Sequence, residues 1–451
     1  MSFLALDIGS SSIKGALLDL DQRVVSTTTR RPSPKRLPGP ALHFEIKLDE
    51  IIAAVRSVIE ELLEAENQIE GLISCGQMAG MVLVDPAGNA QSNYLSWQDQ
   101  RGLEKHPSGT GTYYKVFCER LGSEKLSELG HECKLGSAAS LLFWLAENQQ
   151  LPSHCMPLML ADYVWLKICH AEAITEYTNA LGSLNLQTRQ WHLEAFRDLG
   201  LAEVDWPRLC DPFHAVGELA TPTSLIPCYP SVGDHQCALA GTLLQQNELS
   251  INASTGSQIS LLADSHQPGN YQVRPYFDGQ FLNTLTHLPA GRSLNVLVDL
   301  LTEIARSQNI ELADPWEYIH QVVQTANSDL QTDLAFFAGP MGDRGAISNI
   351  SVDNLNVSNL FFAAYKNMAN NYESCANRLS PARKWNSLVL SGGLAQNSKA
   401  LRDLVLTRFP GTQRICETTE ETFHGLLVLA LVASGRAANL ATATDLMRTE
   451  N

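Results

Sequence analysis

Two short strand–turn–strand patterns, one at the start of the chain and one just past its middle, constrain the fold more than any other feature. In the first, apolar runs at residues 3–7 and 14–18 flank the small residues of 9–12. In the second, β-prone residues flank the small residues of 253–257. Small-residue turns between such runs are typical of hairpins. The similarity of the two patterns predicts a chain of two related halves that meet near Asn247.

The length of the chain agrees with this division. At 451 residues it exceeds the size at which a single hydrophobic core stops growing. Its composition, with 44% hydrophobic and 18% charged residues, is that of an ordinary globular protein, so each half can bury a core. We therefore expect two domains, residues 1–246 and 247–451, with a cleft between them.

Helix and strand patterns alternate along the chain, which predicts an α/β fold with partly parallel sheets. Strand patterns occur at 71–75 and 387–390, and 250–259 is typical of a strand, a turn and a second strand. Helix patterns occur at 48–63, 138–147, 161–166, 233–244, 398–408 and 422–433. Four prolines predict a surface loop at 31–40. The middle of the chain, about 101–230, is interpreted as insertions that wall one side of a pocket.

The charge of the chain limits its partners. A formal net charge of -16 creates a field that repels a polyphosphate backbone, so nucleic acid is not an expected partner. The same field opposes nucleotide binding. A nucleotide site would therefore need a bound divalent cation and backbone donors to offset the repulsion.

Ten cysteines without a Cys-x-x-Cys pair predict reduced thiols and therefore a cytoplasmic location. Cys75 and Cys237 are expected to be inert core residues, because a buried thiol packs as a small hydrophobe. No apolar run approaches the roughly 20 residues needed to span a bilayer, and the start of the chain lacks a secretory pattern. We expect neither membrane insertion nor secretion.

Three turns carry residues suited to phosphate binding, which requires backbone donors, a carboxylate for hydrated Mg²⁺ and a positive charge. The first turn holds a carboxylate, small residues and a cation: Asp7, Gly9, Ser10, Ser11, Ser12 and Lys14. The other two hold hydroxyl, glycine and amide residues: Ser254, Thr255, Gly256, Gly392, Gly393 and Asn397. The last of these turns could admit a flat ring against its glycines. An ordinary hairpin and a tight turn between strand and helix fit the same residues.

Asp234 follows Gly233 at the start of a helix pattern, where the helix dipole favours an ionised carboxylate. Such a carboxylate can accept the proton of a sugar hydroxyl as that hydroxyl attacks phosphorus. Two loops of the first half supply side chains of the kinds that bind polyols: Gln77, Met78, Trp97, Asp99 and Arg101. A helix-capping aspartate and a surface loop also fit these patterns.

The order of these motifs resembles the FGGY family of carbohydrate kinases, and the resemblance covers nearly the whole chain. It depends on six segments: 7–14, 76–80, 97–101, 233–234, 254–256 and 392–393. Four stretches look most like sedoheptulokinase, with xylulokinase next: 95–101, 161–164, 233–236 and 252–258.

This resemblance implies two actin-like ATPase (ribonuclease H-like) domains that close on ATP and sugar. Residues 1–246 would then hold the sugar and the first phosphate loop, and residues 247–451 the nucleotide. Asp234 matches the catalytic base, Asp7 helps to place Mg²⁺, and His235 joins the sugar contacts. Thr255 lies in the second phosphate loop. The adenosine-side motif is matched by Gly392, Gly393 and Asn397, and residues 342–344 resemble a Gly-Glu-Arg segment of the family.

Two positions depart from the family pattern. Ala79 stands where ketose kinases of the family usually carry histidine, which removes a hydrogen bond to the sugar and puts the substrate in doubt. Ser254 stands where many members carry glycine. Neither change removes the expected base or the expected magnesium carboxylate.

The predicted function is ATP-dependent phosphorylation of a sedoheptulose-like ketose, with ATP and Mg²⁺ as cofactors and a small sugar as partner. A kinase of xylulose, of another pentulose or of a polyol fits the same residues. A non-catalytic, nucleotide-gated sugar sensor of the same fold also fits them, because a fold alone does not specify chemistry. The sequence is compatible with a homodimer.

Overall fold

The computed structural model describes residues 2–449. The strands of the first half are β1 Ser2–Ile8, β2 Ser12–Asp19, β3 Val24–Pro32, β4 Glu45–Ile46, β5 Ile69–Gly76, β6 Val82–Val84, β7 Tyr94–Leu95, β8 Met156–Leu158, β9 Ile174–Glu176, β10 Leu184–Asn185, β11 Gln190–Trp191, β12 Arg208–Cys210, β13 Gly217–Ala220, β14 Leu225–Cys228 and β15 Val232–Gly233. Its helices are α1 Leu48–Ala65, α2 Tyr113–Glu128, α3 Ala138–Glu147, α4 Leu160–Ile168, α5 Leu193–Asp198 and α6 Asp234–Gly241.

The second half begins with another hairpin. Its strands are β16 Glu248–Ala253, β17 Ser257–Ala263, β18 Gln272–Pro275, β19 Phe281–Leu288, β20 Gln331–Asp333, β21 Ala346–Ser348, β22 Ser387–Ser391 and β23 Thr412–Ile415. Its helices are α7 Gly291–Ser307, α8 Pro315–Val322, α9 Val357–Leu379, α10 Gly393–Asn397, α11 Lys399–Arg408, α12 Glu421–Ala433 and α13 Leu440–Arg448.

The two main sheets repeat one topology. In the first, β1, β2 and β3 are antiparallel neighbours, and β5 then pairs parallel to β1. In the second, β16, β17 and β19 are antiparallel neighbours, and β22 pairs parallel to β16. The predicted similarity of the two strand–turn–strand patterns thus extends to the strand order of both main sheets.

Burial explains why the helix α1 forms where its pattern predicts. Its apolar residues recur at helical spacing, and the side chains on that face are buried: Leu48, Ile51, Val55, Val58, Ile59 and Leu62. Asp49 and Glu50 lie in the first turn, where carboxylates complement the helix dipole. The helix covers the first sheet beside β2 and β3.

The segment 31–40 is only partly the surface loop predicted from its prolines. The strand β3 continues through Arg31 to Pro32 before the irregular segment begins. β3 is the edge strand of its sheet, and Pro32 is its last residue. A proline is tolerated there because the missing N–H would have faced away from the ladder.

Helices α6 and α12 cross between the two sheets with glycines at the contact. A Cβ atom at Gly241 would lie 1.8 Å from the Glu421 carbonyl oxygen, and one at Gly425 would lie 1.9 Å from the Cys237 carbonyl oxygen. The two backbones can approach this closely only because neither glycine has a side chain. α12 also contacts β1, β3 and β5, so an element of the second half covers one face of the first sheet.

One hydrophobic core therefore contains residues from both halves. Phe3, Ile73 and Val232 of the first sheet pack in the same cluster as Phe423 and Leu427 of α12. The boundary at 246 and 247 stays a prediction. Cys75 and Cys237 are buried, as predicted, and the ten cysteines are free. No helix within residues 2–449 has both the length and the apolar character to cross a membrane.

Candidate active site

Three parallel strands bring the proposed catalytic residues to one edge of the first sheet. Ile8 of β1 is in register with Gly76 of β5, and Gly76 is in register with Gly233 of β15. Gln77 and Asp234 directly follow the last two of these residues. Residues that follow parallel strands at the same edge lie close together, which is the usual location of sites in α/β proteins.

These residues open onto a cleft of about 1340 Å³ that is lined by both halves of the chain. Several residues predicted from the sequence line it: Ser10, Gln77, Met78, Trp97, Asp99, Asp234 and His235. Residues of the second half, including Gln258 and Arg292, complete its wall. The cleft is large enough for a small sugar together with the outer phosphates of a nucleotide.

Asp234 is partly buried at the start of α6. Its carboxylate accepts a hydrogen bond of 2.7 Å from the backbone N–H of His235. Burial and, after it, the neighbouring charge of Asp7 together raise the pKa of Asp234 to about 7, although the hydrogen bond from the His235 N–H acts in the opposite direction. A carboxylate with a pKa near neutrality is suited to general base catalysis.

His235 is held as a neutral imidazole by an arginine. The Nη1 atom of Arg274 lies 2.9 Å from His235 Nδ1. Because a guanidinium only donates, Nδ1 must accept, and the ring hydrogen is on Nε2. Burial and the charge of Arg274 lower the pKa of His235 well below its usual value. Nε2 has no hydrogen-bond partner among the described residues, so this N–H is available to a ligand in the cleft.

The two loops with the predicted sugar residues flank Asp234. Met78 packs against Gly233, where an added Cβ would lie 2.5 Å from the Met78 sulfur. Gln77 is 6% exposed, and its Oε1 atom accepts no hydrogen bond within residues 2–449. Trp97 is 37% exposed at the wall of the cleft. A buried, unsatisfied amide oxygen and an exposed indole are suitable contacts for a polyol.

Asp99 and Arg101 are paired with each other. Both carboxylate oxygens of Asp99 accept hydrogen bonds from Arg101, and one also accepts from the Phe44 backbone N–H. Arg101 is 3% exposed and also donates to Glu45. The pair thus stabilises the loop at 97–101 from within, and Arg101 is not among the residues that line the cleft.

The start of α12 connects the predicted phosphate turns. Glu420 forms an ion pair of 2.9 Å with Lys14, and Thr422 Oγ1 donates to Asp7 over 3.2 Å. Between them, Glu421 accepts hydrogen bonds from Asn252 Nδ2 at 3.0 Å and from the Gly392 N–H at 3.1 Å. Three consecutive residues therefore hold all three turns together.

The first turn closes through the backbone, since the Gly9 N–H donates to the Ser12 carbonyl. Ser11 accepts from the Ser33 N–H, and Ser12 begins β2. Ser10 remains at the tip and lines the cleft.

The second and third turns are in direct contact. Gly392 has a φ of 91°, a left-handed conformation that favours glycine, and a Cβ there would lie 2.5 Å from Ser254 Oγ. Ser254 donates to Asn252, Thr255 accepts from the Arg292 N–H, and Gly256 faces open space. Gly393 and Asn397 are the first and last residues of α10.

The surroundings of Asp7 are compatible with magnesium. Asp7 is 8% exposed, and burial raises its pKa, which Lys14 partly offsets. A cation beside this carboxylate would relieve the cost of burying its charge. Within residues 2–449, no three His, Cys, Asp or Glu side chains form a metal cluster. Mg²⁺ that is bound with a nucleotide needs only one or two carboxylates, because phosphates and water supply its other ligands.

Sequence reasoning missed the residues that connect these parts. Glu421 and Thr422 resemble ordinary first-turn residues of an apolar helix, so their pattern gives no sign of a site. Arg274 and Glu132, which are ion-paired at 2.6 Å, come from distant segments of the chain. Only the tertiary structure brings them to His235. Residues 342–344 lie in the turn between β20 and β21.

The sequence and fold have clear relatives. Residues 2–238 match the model for the N-terminal domain of the FGGY family of carbohydrate kinases. The chain belongs to this family. The match covers the first sheet and ends four residues after Asp234.

The relatives of this FGGY chain include xylulose kinases. The chain is 21% identical over 290 residues to the xylulose kinase of Bacillus subtilis, and this match covers 61% of the chain and 56% of the relative. It is 24% identical over 313 residues to that of Lactococcus lactis, a match that covers 65% and 60%, respectively. These matches thus span less than two thirds of the length of either relative.

Solved structures confirm the fold over nearly the whole chain. The ligand-bound xylulose kinase from Lactobacillus acidophilus superposes with a TM-score of 0.83 at 16% identity and covers 98% of this chain and 91% of its own. The glycerol kinase of Plasmodium falciparum with ADP gives 0.83 at 15% identity, with 99% and 92% covered. The predicted two-domain, actin-like fold class is thereby confirmed.

Proposed function

We propose that this FGGY chain transfers the γ-phosphate of ATP to a hydroxyl of a small ketose, with Asp234 as general base. The proposal depends above all on the position of Asp234, whose carboxylate faces the shared cleft with a pKa of about 7. Its relatives named xylulose kinases support a ketose of five carbons, and the similarity of the loops at 95–101 and 233–236 to sedoheptulokinase extends the range to seven.

In the proposed reaction, the Asp234 carboxylate accepts the proton of the sugar hydroxyl as its oxygen attacks the γ-phosphorus, and ADP leaves. The His235 Nε2–H and the Gln77 Oε1 orient the sugar through hydrogen bonds. Ser10 and Thr255 offer donors to the phosphates from opposite halves of the chain. Mg²⁺, bound with ATP beside Asp7, would neutralise phosphate charge. Closure of the cleft excludes water, which would otherwise consume ATP.

The test is coupled ADP release across ketoses and polyols of five to seven carbons. Asp234→Asn should lower turnover roughly 10²- to 10⁴-fold, because the general base is lost. Asp353→Asn, an exposed aspartate outside the cleft, is the matched control. Chelation of Mg²⁺ should abolish the signal. Full activity of Asp234→Asn would refute the assignment of the base. Absence of ADP release with every ketose and polyol tested would favour a sugar sensor.

We also infer a cytoplasmic, thiol-reducing environment. Ten free cysteines are present, and eight of them are buried. Titration of the purified, unfolded protein with a thiol reagent should find all ten reduced. A homodimer, which light scattering would detect, remains part of the proposal.

A further inference from the structure

The cleft is cationic in an acidic protein. Its lining contains four cationic side chains and three carboxylates, namely Arg36, Lys134, Arg274, Arg292, Asp99, Glu132 and Asp234. The whole chain carries a formal charge of -16. A local excess of positive charge inside such a molecule selects for ligands of the opposite sign.

Pairing within the cleft leaves three of these cations, Arg36, Lys134 and Arg292, without a carboxylate, and Arg36 donates to the Pro40 carbonyl oxygen instead. Glu132 is occupied by Arg274 at 2.6 Å and by Gln272 at 2.7 Å, and Asp99 is occupied by Arg101. Among the described residues, neither Lys134 nor Arg292 forms an ion pair. Arg292 instead lies over the Phe337 ring, with its guanidinium carbon 3.6 Å from the ring centroid.

Lys134 lies on the sugar side of the cleft. Two residues beyond it, the Gly136 carbonyl accepts a hydrogen bond of 2.8 Å from the Gly80 N–H. A Cβ atom at Gly136 would lie 2.1 Å from the Trp97 carbonyl oxygen, so this segment packs directly on the Trp97 loop. Ala79 on the neighbouring loop offers no polar side chain. Lys134 therefore lies two residues from the contact with the Trp97 loop, and it lines the cleft there.

The cations converge on one side chain from several elements. His287 lines the cleft at the end of β19, and Lys134, Arg274 and Arg292 all act to lower its pKa, after burial, while Glu132 raises it. Groups that all act on one imidazole share one part of the cleft. Arg292 also approaches the second phosphate turn, since its N–H donates to Thr255 over 2.7 Å. Arg292 can thus serve either substrate, whereas Lys134 lies beside the sugar loops.

We propose that the acceptor carries an anionic group, a carboxylate or a phosphate, that binds Lys134 with help from Arg292 while its hydroxyl faces Asp234. This inference depends on the proposed kinase function and specifies its substrate class. The transfer step is unchanged: the acceptor oxygen forms the new bond to the γ-phosphorus, and the bond to ADP breaks.

The experiment compares acceptors of equal carbon number that differ only in charge: a neutral ketose or polyol, its sugar acid and its phosphate ester. ADP release gives kcat/KM for each with the full chain. The variants are Lys134→Met, Arg292→Met and the matched control Lys115→Met, an exposed lysine on α2. Isothermal titration calorimetry measures binding of the same acceptors without turnover.

We expect at least a tenfold preference for one anionic acceptor, and the sugar acid and phosphate ester arms identify which. Lys134→Met should lower the ratio of anionic to neutral kcat/KM at least tenfold relative to Lys115→Met. If the enzyme prefers the neutral acceptor and Lys134→Met leaves this preference unchanged, the inference is overturned but the proposed kinase activity stands. The inference would also be overturned if Lys134→Met raised the KM for MgATP but not the KM for the acceptor.

Failure of the kinase proposal gives a different result. If no acceptor leads to ADP release, isothermal titration calorimetry still tests whether the cleft binds an anionic acceptor. Binding of the sugar acid or phosphate ester that Lys134→Met weakens at least tenfold supports the anion site. Absence of such binding refutes it.

Discussion

At the scale of single residues, two carboxylates in different environments define the site. Asp7 and Asp234 face the same edge of the first sheet, and the charge of Asp7 helps to raise the pKa of Asp234. Like charges that share a partly buried site disfavour ionisation of both. Lys14 offsets the effect of burial at Asp7 but is not among the causes that act on Asp234. The pair can therefore divide the roles of cation ligand and base.

The pH dependence of activity should report this tuning. Because a general base acts only when ionised, kcat/KM should fall below an apparent pKa of about 7. Asp7→Asn removes the neighbouring negative charge and should move this acid limb to lower pH, even though it also lowers turnover. Steady-state profiles from pH 5 to 9 provide the measurement. An acid limb that stays in place in Asp7→Asn would contradict the proposed coupling.

The same raised pKa should cost stability. The ordinary value for Asp234 is 3.8, so the folded state binds its proton more tightly than the unfolded state, and the ionised form opposes folding as pH rises from 3.8 to about 7. Asp234→Asn should therefore raise the Tm of the ligand-free protein, by an amount that grows up to pH 7 and then stays constant. The upper limit of the gain is about 4 kcal/mol.

Calorimetry of Asp234→Asn and Asp353→Asn at pH 5, 7 and 8 tests this expectation. The exposed Asp353 variant should leave Tm unchanged at each pH. A loss of stability in Asp234→Asn at pH 8 would show that the carboxylate supports the fold instead of opposing it.

The sequence could identify Asp234 but not its partners. The aspartate follows a strand pattern and begins a helix pattern, and both are local features. The environment of His235 depends on Arg274 and Glu132, which approach it only after the chain has folded. Lys134 and Arg292 are single cations without a local motif. Residues in local patterns can thus be predicted from the sequence, whereas the ion pairing of charged side chains in the cleft cannot.

At the scale of secondary structure, α12 has a double role. Its first turn holds the three proposed phosphate turns through Glu421 and its neighbours, and its glycine contact with α6 fixes the distance between the two helices. A change in the distance between α6 and α12 should therefore alter the positions of the turns at the proposed nucleotide site. Stability and activity are linked here by a single helix.

Gly425→Ala should test this link. The added Cβ would lie 1.9 Å from the Cys237 carbonyl oxygen, so the helices must separate. We expect a loss of about 3 kcal/mol in the free energy of unfolding, from overpacking, together with a raised KM for ATP. Gly39→Ala, where no atom lies within 4 Å, is the control. Urea denaturation and steady-state kinetics measure both effects, and an unchanged midpoint would contradict the account.

The elements that the sequence predicted are those whose apolar periodicity is local, while others, such as the long helix α9, were not predicted. The pattern at 138–147 predicts α3 to the residue, and 48–63, 398–408 and 422–433 agree with their helices within two residues. β3 was not predicted, because its polar sequence gives an edge strand no apolar signal. Its pairing with β2 supplies what the sequence pattern lacks.

At the scale of the whole molecule, the halves are repeated in topology but not independent in packing. The first sheet is complete in its strands by Gly233, whereas α12 covers part of its face from the second half. Phe3 of β1 and Leu427 of α12 belong to one core. The two domains thus share a hydrophobic interface that resembles a core more than a surface contact.

A fragment of residues 1–246 should therefore fail to fold alone. Without α12, the apolar side chains of β1 and α6 would face water, and the fragment should aggregate or bind a hydrophobic dye. Co-expression with residues 247–451 should restore a soluble complex. Circular dichroism and gel filtration provide the readout. A monomeric fragment with a cooperative unfolding transition would disprove the shared core.

The crossing of α12 over the first sheet has a consequence for biosynthesis. The ribosome adds α12 roughly 190 residues after β15, which at the usual speed of translation is about 10 to 40 seconds later. During that interval the nascent first half has its strands but lacks part of its cover. Chaperones that shield exposed apolar surface on growing chains should therefore associate with this polypeptide until α12 emerges.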